Sequence, residues 1–121
     1  FGDFNKQHGH QIGDVVLRTF AGVLRGRFRD ADLVARFGGE EFVAILEGAT
    51  RDAAVAIAEE ILATLAETAI ASDDGTRLAV TVSAGCAELY ETEPTAEQLL
   101  RTADVALFMA KRAGRNRVVA A

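Results

Sequence analysis

The sequence predicts an α+β domain built as an α/β sandwich, on three observations. Hydrophobic patterns of helical and strand period alternate along the chain. Cap and turn residues stand at the joints between them. The chain has 121 residues, half of them hydrophobic. That is enough apolar mass for one core and short of the length at which chains divide into domains.

Residues 1–10 are polar with two glycines and read as a loop or short helical turn. From Gln11 to about Arg27 the pattern is helical, with Val16, Phe20, Val23 and Leu24 on one face. A polar joint, Arg29 to Asp32, leads into two short apolar strands, about 33–37 and 42–47. Thr50 is placed to cap a helix from Arg51 to about Glu67, whose stripe is Ala54, Ile57, Ala58, Ile61 and Leu65. Ser72 to Thr76 is a turn around Asp74-Gly75. Leu78, Val80, Val82, Ala84 and Cys86 then alternate with small residues, the pattern of a central strand. Thr95 with Gln98 three residues on is a capping box. The helix it opens has Leu100, Ala103, Leu107 and Ala110 inside and stops at Gly114. Arg115 to Val119 is read as a final short strand. Two helices and a central hairpin call for a strand ahead of the first helix, and none is present.

The bulk numbers exclude several classes. A net charge of -5 argues against general nucleic-acid binding. No apolar run approaches a membrane span, so no direct membrane contact is expected. The single cysteine, Cys86, forms no internal disulfide, fits a reducing compartment and reads as a core residue. His8 and His10 lack the further ligands of a zinc site. The chain opens on Phe1 without a methionine, as a fragment of a longer protein would.

The chemistry gathers at Arg36-Phe37-Gly38-Gly39-Glu40-Glu41-Phe42. Two glycines between apolar strands signal a hairpin turn. Two adjacent glutamates beside bare backbone amides point to a divalent cation and phosphates. On these residues alone, a plain hairpin with solvated acids is the favoured reading.

Further blocks stand in order around it. They are Asn5; Gly9-His10-Gln11-Ile12-Gly13-Asp14; Val82-Ser83-Ala84-Gly85; Ala103-Asp104-Val105-Ala106-Leu107; and Ala110-Lys111 with Gly114-Arg115-Asn116-Arg117-Val118. In this order and spacing the chain resembles the GGDEF family of diguanylate cyclases from Phe1 to Val119. The resemblance implies a ferredoxin-like core of the nucleotidyl-cyclase and polymerase-palm type, with a mostly antiparallel sheet flanked by helices. It implies condensation of two GTP into cyclic di-GMP and two pyrophosphates between two facing domains, a homodimer, with Mg²⁺ or Mn²⁺. It also implies a bacterial, cytoplasmic domain governed by an upstream sensor or receiver.

The resemblance assigns roles to particular residues. Glu40 and Glu41 fall on the metal-binding acids, and Glu40 also on the position that assists deprotonation of the 3′-hydroxyl. Gly38 and Gly39 let the backbone approach the phosphates. Lys111 and Arg115 match a phosphate-binding pair, expected on one side of the helix end because they are four apart. Asn5 and Asp14 match the guanine readers; alone they would be a loop cap and a first-turn acid. Arg29 and Asp32 match an RxxD site at which cyclic di-GMP inhibits; alone they would be a surface ion pair.

Departures from the family pattern define an alternative. The family's first strand and its metal-binding aspartate would precede Phe1, so the chain reads as a single GGDEF domain over 1–121, truncated at its N-terminus. The early acid Asp3 has no family role. Gly2 replaces a common lysine, Lys6 an aspartate and His8 an aromatic residue. Glu60 stands where some members carry a further inhibitory-site arginine. These features motivate a non-catalytic cyclic di-GMP receptor or a GTP-binding regulatory module as the alternative.

Overall fold

The structure is a computed structural model that describes residues 10–30, 32–38, 41–68, 70–71, 77–78, 80–88 and 95–121. The expected turn at 72–76 and the loop at the N-terminus lie outside these residues. In chain order the elements are α1 (His10–Arg27), β1 (Leu33–Gly38), β2 (Glu41–Ile45), α2 (Arg51–Glu67), β3 (Ile70–Ala71), β4 (Arg77–Leu78), β5 (Ala84–Cys86), α3 (Ala96–Arg112) and β6 (Val118–Ala120). Helices and short ladders are mixed, as in an α+β domain. β1 pairs with β2 and β3 with β4, both antiparallel, while β5 pairs with β6 in parallel.

The chain divides into two bodies, one of residues 1–47 and 64–80, the other of 48–63 and 81–121. In the first, Val16, Phe20 and Leu24 of α1 are buried, as their helical spacing requires. Val16 packs with Ile70 and Val80, and Val15 lies against them. Burial of each such side chain contributes about 1.5–3 kcal/mol. In the second body Ala106 and Ala110 of α3 and Ile61 of α2 are buried.

Local cap chemistry sets the helix ends. Thr50 Oγ1 accepts from the Ala53 amide at 3.2 Å, and α2 then runs from Arg51 to Glu67 as its pattern predicts. Thr95 Oγ1 accepts from the Gln98 amide at 3.1 Å and opens α3. Gly114, at φ 123°, is the left-handed residue that ends it.

Two strand expectations differ from the structure. The strand read over 78–86 appears as the short β4 and β5; Val80 to Ser83 form no ladder. Alternation describes how side chains face, whereas a strand also needs a neighbour at every position. The last strand begins at Val118 rather than Arg115, because Arg115 and Asn116 have φ of 63° and 48° and cannot extend a strand.

Gly85 explains why α3 buries alanines. A Cβ there would run into the backbone of α3 at Ala103 O, Leu107 N and Ala106 C. Strand β5 therefore lies directly on the backbone of the helix at Ala103, Ala106 and Leu107. Ala106, absent from the expected stripe, is 1% exposed for this reason.

Candidate active site

The hairpin is registered from Leu33–Ile45 to Gly38–Glu41, with an irregularity between Arg36 and Gly38. Phe42 meets Phe20 of α1 edge-on, ring centroids 5.0 Å apart at 68°. This edge-to-face contact fixes which face of β2 turns to the helix. Glu41, one residue earlier, belongs to the opposite face and is exposed. The signature phenylalanine thus aims the signature acid. Gly39 and Glu40 lie outside the described residues. A carboxylate such as Glu41 is a hard oxygen donor that fits Mg²⁺ or Mn²⁺. Among the described residues, no group of three acids, histidines or cysteines forms a metal-binding cluster.

Arg29 and Asp32 are brought together at the entry to β1. Arg29 Nη2 meets Asp32 Oδ1 at 3.0 Å, and Arg29 Nε donates to Oδ2 at 3.4 Å. The Arg29 amide donates to the same Oδ2 at 2.9 Å, while the Asp32 amide donates to Arg29 O at 3.0 Å. The carboxylate is gripped from two directions inside one tight turn. Hydrogen bonds from the Arg29 side chain, then from its amide, hold the Asp32 carboxyl below the usual carboxylate range. The guanidinium is raised in turn, chiefly by its bond to Asp32. Arg29 Nη2 also donates to Glu47 O at 3.2 Å. One side chain therefore links the residue before β1 to the residues after β2. Sequence reasoning missed this link, because a backbone acceptor leaves no mark in side-chain identity.

In the second body the basic residues gather at the end of α3. Lys111 is half-buried within the helix, whereas Arg115 is exposed and lies beyond it. The expectation that helical spacing puts both on one side is corrected here. The helix stops at Arg112, so the i, i+4 rule does not reach Arg115. Its position comes from the turn: its amide donates to Ala110 O at 3.0 Å, closing the helix end. The Asn116 amide donates to Ser83 Oγ at 3.1 Å, and Arg117 Nε donates to Arg115 O at 3.1 Å.

Asp14 is exposed on α1. Because α1 starts at His10, Asp14 stands beyond the first turn, where a helix-dipole role is weak. Asn5 lies outside the described residues. Glu60 is exposed on α2. The Cys86 thiol is pushed up by burial and then by the charge of Glu59, which fits the expected packing role. No helix among the described residues is long and apolar enough to cross a membrane.

Comparison with known proteins gives these observations a family. The family described as diguanylate cyclase, GGDEF domain, matches residues 1–117. Diguanylate cyclase A of Treponema denticola is 38% identical over 118 residues, which are 98% of this chain and 32% of that protein. Diguanylate cyclase DgcP of Pseudomonas aeruginosa is 42% identical over 118 residues, covering 17% of its length. The chain thus spans a third or less of these two relatives. Among solved structures, the GGDEF domain of DgcB from Caulobacter crescentus in complex with c-di-GMP is 35% identical. It superposes with a TM-score of 0.92 over 98% of this chain and 70% of that one. The active GGEEF domain of a diguanylate cyclase from Vibrio cholerae is 32% identical, with a TM-score of 0.86 over 97% and 73%. The expected nucleotidyl-cyclase fold is therefore the fold of this chain, which belongs to the GGDEF family of diguanylate cyclase domains.

Proposed function

We propose that this domain, within its native chain, joins two GTP into cyclic di-GMP opposite a second copy of itself. Each 3′-oxygen attacks the α-phosphorus of the other nucleotide. A P–O bond forms, the bond to pyrophosphate breaks, and each hydroxyl loses its proton. The observation that carries this reading is the exposed Glu41 at the start of β2, paired with Gly38, in a chain whose sequence there reads Gly-Gly-Glu-Glu-Phe. The same GGEEF pattern names a solved domain described as active.

In this reading Glu40 and Glu41 hold Mg²⁺ or Mn²⁺, which would neutralise charge developing on the phosphates and activate the attacking oxygen. Gly38 and Gly39 leave room for the phosphates at the backbone. Lys111 and Arg115 bind the phosphate chain, and Asn5 and Asp14 read guanine. Arg29 and Asp32 bind the product and inhibit. An upstream sensor or receiver would control pairing of the domains, and the setting is the bacterial cytoplasm. The full-length protein with GTP and Mg²⁺ should yield cyclic di-GMP, and Glu41→Ala should cut the rate at least about a hundredfold. A dimeric sample that makes none rejects the proposal.

A second reading is a receptor for cyclic di-GMP without catalysis. It is supported by the Arg29–Asp32 pair and by a related domain solved with that ligand. Calorimetry separates the two: a receptor binds cyclic di-GMP, loses it on Arg29→Ala, keeps it on Asn5→Ala, and makes no product.

A further inference from the structure

We infer that Ser83 is a positioning residue for Arg115, acting through the backbone of Asn116. The inference rests on the reading of Arg115 as a phosphate-binding residue. Gly114, Arg115 and Asn116 have φ of 123°, 63° and 48°. Three left-handed residues in a row make an unusual path. Glycine takes it freely and asparagine tolerates it, but arginine has no such preference. Holding a residue such as Arg115 there costs about 1–3 kcal/mol and requires outside support.

The support is visible at both ends of the turn. On the helix side, the Arg115 amide closes onto Ala110 O at 3.0 Å. On the strand side, the Asn116 amide donates to Ser83 Oγ at 3.1 Å, across 33 residues of sequence. The next residue enters the sheet at once: the Ala84 amide donates to Arg117 O at 3.0 Å, and Ala84 is paired with Val118. Ser83 therefore extends the β5–β6 contact by one hydrogen bond, at a point where the left-handed backbone cannot continue the ladder. A hydroxyl stands in for a strand carbonyl. Between these two anchors stands Arg115, whose carbonyl also accepts from Arg117 Nε at 3.1 Å. Ser83 is half-buried, while its bond to the exposed Asn116 amide is open to solvent.

The test uses full-length protein and a non-hydrolysable GTP analogue with Mg²⁺, with GMP as the low-phosphate control. Ser83→Ala should weaken the analogue about fivefold to tenfold, the effect of one lost hydrogen bond. GMP binding should change less than twofold, and Ser83→Thr should restore analogue affinity. In an Arg115→Ala background, Ser83→Ala should add nothing. Asn116→Ala, which loosens the turn without altering the strand, should weaken the analogue in the same direction and keeps the test open should Ser83→Ala misfold. Equal weakening of analogue and GMP, or an undiminished effect of Ser83→Ala without Arg115, overturns the inference. If Arg115→Ala itself leaves analogue affinity intact, the phosphate role of Arg115 fails instead.

Discussion

The hairpin β1–β2 and the turn between α3 and β6 carry opposite charges and are built by opposite means. In the hairpin, the acid is placed by strand register. Glu41 pairs with Gly38, and Phe42 is fixed against Phe20. Register is a two-way choice: a slip of one residue would exchange the faces of Glu41 and Phe42. In the turn, the cation is placed by left-handed backbone held at its ends by Ala110 O and Ser83 Oγ. Such a turn deforms gradually as its anchors weaken. Loss of support should therefore act as a switch in the hairpin and as a graded loss in the turn.

Four substitutions probe this contrast, from the largest expected effect down. Gly85→Ala drives a methyl group into the α3 backbone and should destabilise the domain by about 3 kcal/mol, seen in urea melts. Phe42→Ala removes the edge-to-face contact with Phe20 and should cost about 2 kcal/mol, less than for a fully buried ring because Phe42 is half-buried. A well-folded Phe42→Ala protein with unchanged activity would break the register account of Glu41.

The third concerns acid. Asp32 has its carboxyl pKa lowered in the folded state, so it stabilises the fold above its unfolded pKa. That contribution is complete above about pH 4 and is lost as pH falls through the lowered folded value. Thermal melts should show Asp32→Asn less stable than the parent near neutrality, with the gap closing as pH falls through the lowered folded value. A gap independent of pH would remove the charged carboxylate from the account. The smallest effect belongs to Thr95→Ala, which deletes the cap of α3 and should cost about 1 kcal/mol with no change in nucleotide affinity.

What was legible in the sequence follows the range of the forces involved. The bounds of α2 and the cap of α3 are set within four residues, and the sequence shows them directly. The broken strand at 78–86 was not legible, because its breaks depend on distant partners. Ala106 was missed because a glycine 21 positions earlier admits the strand to the helix. At the site, the pairing of Arg29 with Asp32 followed from spacing, but the reach of Arg29 to Glu47 O did not. The departure of Arg115 from the helix face leaves no mark in the sequence, because its residue type gives no warning of a positive φ.

The contact of Gly85 with α3 also sets how this part of the domain yields to force. Where two main chains touch, no layer of rotatable side chains remains to absorb a displacement. β5 and α3 should behave as one stiff piece, with little free volume between them to squeeze out under hydrostatic pressure. Compression should be taken up elsewhere in the domain, so high-pressure NMR should find the amides of Gly85 and Leu107 among the least displaced.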